Sequence, residues 1–347
     1  MAVHWGILGC AGIAEKFCAS VSRVENAVIT GVASRTAGKA ADFIAANCPG
    51  AKSYDSYEEL LADTSIQAVY IPVPTALRAE LAVKAAAAKK HLLVEKPIAT
   101  ATEAKMMIDA CREAGVQFMD NTMFLHNPRQ DAIKAVLNDK DLFGQIKHVN
   151  STFSIDMGLD ESWASGNIRM KKSLEPLGCL GDLGWYNARL TLWAFDYALP
   201  SAVSCTYVEH TDEGVPTHIM AQMRFGTRTA SFMASFRAAF RNSAEFVGEK
   251  ALVSIEDFVV SSKLDTASYK VTKTTFGAKA ETFPVAILKD EELKTGVQHS
   301  NLVATFSNLV ASGKVDEAWP QQTYQTQLVL DAMVKSAEQG GAWVALS

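Results

Sequence analysis

GILGCAGIAEKF, from Gly6 to Phe17, closes the apolar run Val3–Leu8 and opens a helix. A dinucleotide-binding turn needs small residues at three spaced positions: one for the tight turn, one for backbone approach to pyrophosphate, one for helix–strand packing. Here those positions hold Gly9, Ala11 and Ala14, with Gly12 alongside. One glycine in three leaves two readings open, a phosphate-binding turn or a small-residue strand–helix turn without a ligand. Its placement favours the first, because the helix it opens presents N-terminal N–H groups that can receive phosphate.

Working outward, short apolar runs alternate with helical stretches as far as about Asn121. The runs are Val3–Leu8, Ala27–Ser34, Lys52–Tyr54, Ile66–Val73, His91–Val94 and Val116–Asp120, and helices are expected near 12–23, 37–46, 56–62, 75–89 and 101–114. Strand–helix alternation of this length implies right-handed crossovers and a doubly wound parallel sheet covered on both faces. After residue 145 the apolar period changes to two, as in Ile219, Ala221, Met223 and Phe225, then Ala230, Phe232, Ala234 and Phe236 beyond the Gly226-Thr227 turn. These read as half-buried antiparallel strands. Helices near 182–195, 299–312 and after Pro320 complete this second half. The expected architecture is an α/β doubly wound N-terminal domain, then an α+β domain with a large, mostly antiparallel open sheet.

The composition excludes several functions. The chain has 347 residues, 48% hydrophobic and 20% charged, with a formal net charge of -5. It is long enough for about two domains and carries no basic block to suggest nucleic acid or a membrane surface. No apolar run is long enough to span a membrane, and no secretory signal is visible. The six cysteines are scattered, with no C-x-x-C and no histidine at metal-ligand spacing, so no metal is expected and a reducing, cytoplasmic setting is.

Three further stretches could carry chemistry. Ser34, Arg35 and Thr36 end the second run. Enzymes that grip the ribose hydroxyls of NAD usually offer a carboxylate there, whereas Arg with small hydroxyls suits the 2′-phosphate of NADP. An exposed arginine on a helix turn is the plain alternative. Glu95-Lys96-Pro97 follows the fifth main run, at a carboxyl strand end where ligands of open α/β sheets bind; Lys96 is either a solvated lysine or one held there for chemistry. In LGCLGDLGWYNARLTLW (Leu177–Trp193), Gly178, Gly181 and Gly184 permit close backbone approach, and Asp182 and Tyr186 are spaced to share one helix face. That pair is either a proton-transfer group or a buried tyrosine bonded to a structural aspartate.

These motifs, GILGCAGIA, GVASRT, EKP and LGDLGWY, resemble in order and spacing the Gfo/Idh/MocA oxidoreductase family across essentially the whole chain. The tyrosine-bearing motif looks most like the branch with glucose–fructose oxidoreductase, dimeric dihydrodiol dehydrogenase and xylose dehydrogenase, and MFLHNPR and NIRMKK look like plant-type oxidoreductases of the family. The resemblance implies an NADP-binding Rossmann domain at 1–122 and a substrate-binding and dimerisation domain at 123–347. It implies a pyrophosphate loop of Gly9, Ala11, Gly12, Ile13 and Ala14, an adenosine-phosphate site of Ser34, Arg35 and Thr36, and Pro74, Glu95, Lys96 and Arg169 near the cofactor. NADP is the expected cofactor, with NAD the weaker alternative. Two departures stand out: Arg78, where many members have histidine, and Leu177-Gly178-Cys179 in place of three glycines.

The activity implied is hydride transfer between NADP(H) and a secondary alcohol or carbonyl of a sugar, polyol or cyclic diol. Tyr186 would exchange the proton and Asp182 would orient the donors. A tyrosine ordinarily titrates near a pKa of about 10, and a Lys96 ammonium nearby would favour its phenolate and hold the substrate oxygen. His126 and Lys171 are substrate-contact candidates; a histidine in that place is as readily structural. A homodimer through the open sheet is expected. The rival reading is an NADP-binding sensor without turnover, against which the joint presence of Lys96, Asp182 and Tyr186 argues.

Overall fold

The computed structural model describes residues 2–36, 38–157, 167–261, 266–273, 279–286 and 297–346; of the expected helix at 37–46, residue 37 lies outside them. The chain divides into two compact units, Met1–Met123 with Val297–Tyr324, and Phe124–Gly296 with Gln325–Ser347.

In the first unit, six parallel strands form one sheet. They are β1 (Val3–Leu8), β2 (Ala27–Ala33), β3 (Lys52–Tyr54), β4 (Ala68–Ile71), β5 (His91–Val94) and β6 (Phe118–Asp120), ordered β3-β2-β1-β4-β5-β6. The order reverses between β1 and β4, the switch point at which ligands of doubly wound sheets bind. All of β4 and Leu92, Leu93 and Val94 of β5 are buried, the pattern of strands covered on both faces. Local signals bound the helices sharply. The helix Ala101–Ala114 starts where Thr100 accepts a hydrogen bond from the Glu103 N–H, and it ends at Gly115 in the left-handed region.

The helix Gln298–Ser312 belongs to this first unit, although the sequence reading placed it with the second half. The reason lies in β1. Trp5 is wholly buried, packs against Phe17 and Phe306 at centroid distances of 5.2 and 5.1 Å, and donates its indole N–H to Ser307 at 3.2 Å. Burying an indole satisfies both its area and its one donor, and the returning helix supplies both.

The second unit is built on a nine-stranded sheet. Its strands are β7 (Ile146–Ser154), β8 (Ala202–His210), β9 (Pro216–Phe225), β10 (Arg228–Ser235), β11 (Arg241–Gly248), β12 (Ala251–Ile255), β13 (Thr266–Lys273), β14 (Glu281–Ala286) and β15 (Val344–Ala345), ordered β14-β13-β12-β11-β7-β10-β9-β8-β15. All neighbours are antiparallel except β7 and β10, so the sheet is mixed rather than wholly antiparallel. Alternation is clear in β9, where Ile219, Ala221 and Met223 are buried and Met220, Gln222 and Arg224 exposed. The helix Gly184–Ala194 is buried on nearly every side. Asn187 donates to Ser151 of β7 at 2.8 Å on one side, and Arg189 Nε donates to Thr326 at 2.6 Å on the other. Among the described residues no helix is long and apolar enough to cross a membrane.

Candidate active site

The first unit gathers four of the expected segments at the carboxyl ends of its strands. After β1, Gly9 has φ +117°, a conformation that disfavours any side chain, and a Cβ there would lie 3.1 Å from Val73 Cγ1. The helix Gly12–Val21 follows, with Ala11 at its N-cap giving no side-chain hydrogen bond. The Ala14 N–H donates to the Ala11 carbonyl at 2.9 Å, so the donors that this helix start holds without intrahelical acceptors are the N–H groups of Gly12 and Ile13. A Cβ on Gly12 would meet open space, Ile13 is half-buried and Ala14 is wholly buried.

After β2, Ser34 is buried and accepts from the Thr36 N–H at 3.2 Å, while Arg35 and Thr36 are exposed. Burial raises the pKa of the Tyr57 hydroxyl, and the charge of the Arg35 guanidinium acts in the opposite sense. Tyr57 did not stand out in the sequence. Pro74, half-buried, precedes a single helical turn after β4.

After β5, Lys96 is half-buried and the Lys96–Pro97 peptide bond is cis. Glu95 is turned into the core. Its carboxylate accepts from the Tyr70 hydroxyl and from Asn121 Nδ2, the latter at 2.5 Å. Burial first, then the Glu95 charge, hold the Tyr70 pKa well above its ordinary value, so Tyr70 remains a neutral donor. Tyr70 also stacks on Phe17 with centroids 4.1 Å apart. The sequence reading missed Tyr70 and Asn121. The available signal was a hydroxyl in an otherwise apolar buried strand, which needs a partner.

In the second unit, Arg169 Nε donates to Asp182 Oδ2 at 2.7 Å. The Asp182 charge is the largest influence raising the Arg169 pKa; burial opposes it, and Glu175 and Tyr186 add in the same upward sense. Asp182 ends the helix Gly178–Asp182 and Tyr186 lies in the first turn of Gly184–Ala194, with only Leu183 between the two helices. Tyr186 is buried, edge-on to Phe124 at 6.0 Å and to Phe153 at 5.7 Å, and Phe258 meets both of those rings. These phenylalanines carried no functional signal in the sequence. His126, in the turn Met123–His126, is half-buried, and Lys171 is exposed beside Arg169.

Gly178 and Gly184 of this stretch serve packing within the unit. Gly178 has φ +46°, and a Cβ there would meet the Pro216 carbonyl oxygen at 2.3 Å. Cys179 is wholly buried, with its thiol against the Ala234 carbonyl at 3.5 Å. The departure from three glycines is thus accommodated against the sheet. Among the described residues no group of three or more His, Cys, Asp or Glu could hold a metal ion.

A six-stranded parallel sheet with a small-residue turn after its first strand is the architecture of dinucleotide-binding domains. Residues 3–122 match the oxidoreductase family with NAD-binding Rossmann fold, and residues 132–254 match the GFO/IDH/MocA C-terminal domain; the chain belongs to this GFO/IDH/MocA oxidoreductase family. It is 28% identical to D-xylose 1-dehydrogenase (NADP(+)) 2 of Haloferax volcanii, over 97% of this chain and 98% of that protein. It is 26% identical to trans-1,2-dihydrobenzene-1,2-diol dehydrogenase of Xenopus tropicalis, over 74% of this chain and 76% of that one. A 3-ketoreductase from Actinomadura kijaniata, crystallised with NADP and TDP-benzene, shares the fold with a TM-score of 0.85 at 24% identity, covering 97% of this chain and 98% of its own.

Proposed function

We propose that the protein is an NADP-dependent dehydrogenase or reductase acting on a secondary alcohol or carbonyl of a sugar, polyol or cyclic diol. The observation that carries the reading is Tyr186, a buried phenol just beyond the Arg169-bound Asp182 and edge-on to two phenylalanine rings. The substrate class is supported by relatives named for xylose and for a dihydrobenzene diol.

The residues present fit NADP. The uncapped helix start behind Gly9 offers N–H donors to pyrophosphate, and Ser34, Arg35 and Thr36 offer hydroxyls and a guanidinium, with no carboxylate, at the end of β2. A relative named for NADP supports the same choice. Bound NADP(H) supplies or accepts the hydride. Lys96 holds the reacting oxygen as charge develops on it, Tyr186 delivers or takes its proton, and Asp182, fixed by Arg169, orients the donors. Glu95, bonded inward to Tyr70 and Asn121, anchors the turn that carries Lys96. His126 and Lys171 are proposed to contact substrate.

The second unit is proposed to form a homodimer through the face of its sheet that exposes Met220, Gln222 and Arg224. Light scattering that gave a monomer at micromolar concentration would refute that part.

The test of the chemistry is a panel of sugars, polyols and cyclic diols, followed by the absorbance of reduced nicotinamide. With the responding substrate, Lys96→Ala and Tyr186→Phe are each expected to lower kcat by roughly 10²–10⁴-fold with NADPH affinity nearly intact. The double variant should lose little more than either single one, because groups acting as a unit are not additive. Wild-type turnover by Tyr186→Phe would overturn the proton-transfer assignment. Equal affinity for NAD and NADP, unchanged in Arg35→Ala, would overturn the phosphate site.

A further inference from the structure

Arg78 opens the helix Arg78–Ala87 and is only 4% exposed, an unusual place for a charge that is never lost. A buried cation needs hydrogen-bond acceptors in its surroundings. Nη1 of Arg78 donates to the Pro97 carbonyl and Nη2 donates to the Val73 carbonyl at 2.8 Å. Those two acceptors lie in different loops. Val73 follows β4, and Pro97 follows β5 and is bonded directly to Lys96. One planar guanidinium therefore ties together the backbone after two neighbouring strands.

The connection extends in two directions. The side chain of Val73, whose carbonyl Arg78 holds, is the group that a Cβ on Gly9, in the turn after β1, would meet first, at 3.1 Å. On the other side, the Arg78 charge acts on Tyr70, the residue that donates to the Glu95 carboxylate. Arg78 thus stands where the turn after β1, the loop after β4 and the turn bearing Lys96 meet.

We propose that Arg78 is a positioning residue for Lys96: its forked hydrogen bonds to the Val73 and Pro97 carbonyls fix the turn that presents the Lys96 ammonium, in register with the loop that packs on Gly9. This rests on the reading of Lys96 as the group that holds the reacting oxygen. The choice of arginine follows from shape. A guanidinium presents several donors in a rigid plane and can span two carbonyls at once, whereas an ammonium is a point charge on a flexible stem. A histidine ring has two nitrogens pointing in different directions and cannot reproduce the fork. What Arg78 holds is backbone, the Pro97 carbonyl just after the lysine and the Val73 carbonyl in the loop after β4; Arg78 itself needs no contact with substrate.

The test uses Arg78→Lys, Arg78→His and Arg78→Met in the full-length protein, with Lys96→Ala alongside. Turnover is expressed per NADPH-binding site, so that unfolded protein does not count. The primary isotope effect is measured with NADPH deuterated at the transferred position. Separately, the rate at which an N-hydroxysuccinimide ester labels Lys96 is read by peptide mass spectrometry, with Lys84 as an internal reference; this readout needs no substrate. Displacements of about 1 Å at a reacting group can cost on the order of 10²-fold in rate. Arg78→His and Arg78→Met are expected to lower kcat per site by roughly 10–100-fold, enlarge the isotope effect, and change Lys96 labelling relative to Lys84 by at least about threefold. NADPH affinity should stay within about threefold, and Arg78→Lys should recover part of the loss. Unchanged turnover per site, isotope effect and Lys96 labelling, with only a lower melting temperature, would overturn the proposal and leave Arg78 a packing residue. Wild-type turnover in Lys96→Ala would instead overturn the reading of Lys96, whatever the Arg78 variants do.

Discussion

Nε of Arg169 meets Oδ2 of Asp182 at 2.7 Å, and Asp182 lies four residues before the buried phenol of Tyr186. The Arg169 side chain is 42% exposed and that of Asp182 19% exposed. A pair so open to water contributes little to stability, typically about 0–1 kcal/mol. Its consequence is the orientation of Asp182 and a positive charge near Tyr186.

Arg169→Leu should therefore leave the melting temperature within about 2 °C of wild type while lowering kcat/KM by roughly tenfold or more. Removing a cation beside a phenol disfavours the phenolate. With Tyr186 as the proposed proton-transfer group, the limb of the pH–rate profile that it sets should accordingly move to higher pH. Calorimetry and a pH series of initial rates check both; a large drop in melting temperature with an unmoved limb would mark the pair as structural.

Gly178→Ala should be costly. A Cβ at that position falls 2.3 Å from the Pro216 carbonyl oxygen, and the backbone there has φ +46°. Overpacking and left-handed strain together suggest about 2–4 kcal/mol, readable as a lower urea midpoint. Gly12→Ala is the control, since a Cβ there meets nothing within 4 Å; its midpoint should hardly change.

The buried pair Arg129–Asp257 is bonded at 2.5 Å, and the Arg129 side chain is wholly buried. Its guanidinium also donates to the Ser268 and Asp257 carbonyls at 3.0 and 2.9 Å. Asp257→Ala removes the only carboxylate of this pair and should destabilise by about 3–5 kcal/mol. Adding Arg129→Met should restore much of that loss, because the uncompensated charge goes with it. Urea unfolding of the single and double variants distinguishes the two effects.

His299 sets part of the acid response. Burial, with the Lys16 charge acting in the same direction, pushes it down to about 4, whereas an unfolded histidine titrates near a pKa of about 6.5. Between those values the unfolded chain binds a proton that the folded chain does not. Stability is therefore complete above about pH 6.5 and falls as pH drops toward about 4, with a total on the order of 3 kcal/mol. His299→Gln should shrink the difference between urea midpoints measured at neutral pH and near pH 4.5. His91 is also held down by burial, so a smaller acid sensitivity in the same direction should remain.

The parallel sheet was legible because its signals are local. The runs Val3–Leu8 and His91–Val94 coincide with β1 and β5, and the helix at 101–114 has its limits marked by Thr100 and Gly115. Strands β8, β11, β13, β14 and β15 carry no such local signal. Their apolar alternation is diluted, as in β8, where Thr206, Glu209 and His210 leave the outer half exposed. The parallel pairing of β7 with β10 joins residues about eighty positions apart, such as Thr152 and Met233, and no local pattern encodes it. The same holds around Lys96. The strand end and the lysine were visible, but Tyr70, Asn121 and Arg78 reach that turn only through the sheet. Arg78 shows in the sequence solely as a departure from histidine, and its two carbonyl partners emerge only from the fold.

The chain leaves the first unit after Met123, returns at Val297 and leaves again after Tyr324, within the helix Ala318–Glu338. No continuous stretch of coding sequence therefore specifies the nucleotide-binding half. A fragment stopping at residue 123 would deprive Trp5 of Ser307 and Phe306, Gln117 of the Asp316 carbonyl at 3.0 Å, and Asp120 of the Thr323 hydroxyl. Recombination between relatives would have to exchange two separated segments together, the second ending inside a helix. In such a chain, point substitutions at the proposed adenosine-phosphate site after β2 are a shorter route to altered cofactor preference than exchanges of whole modules.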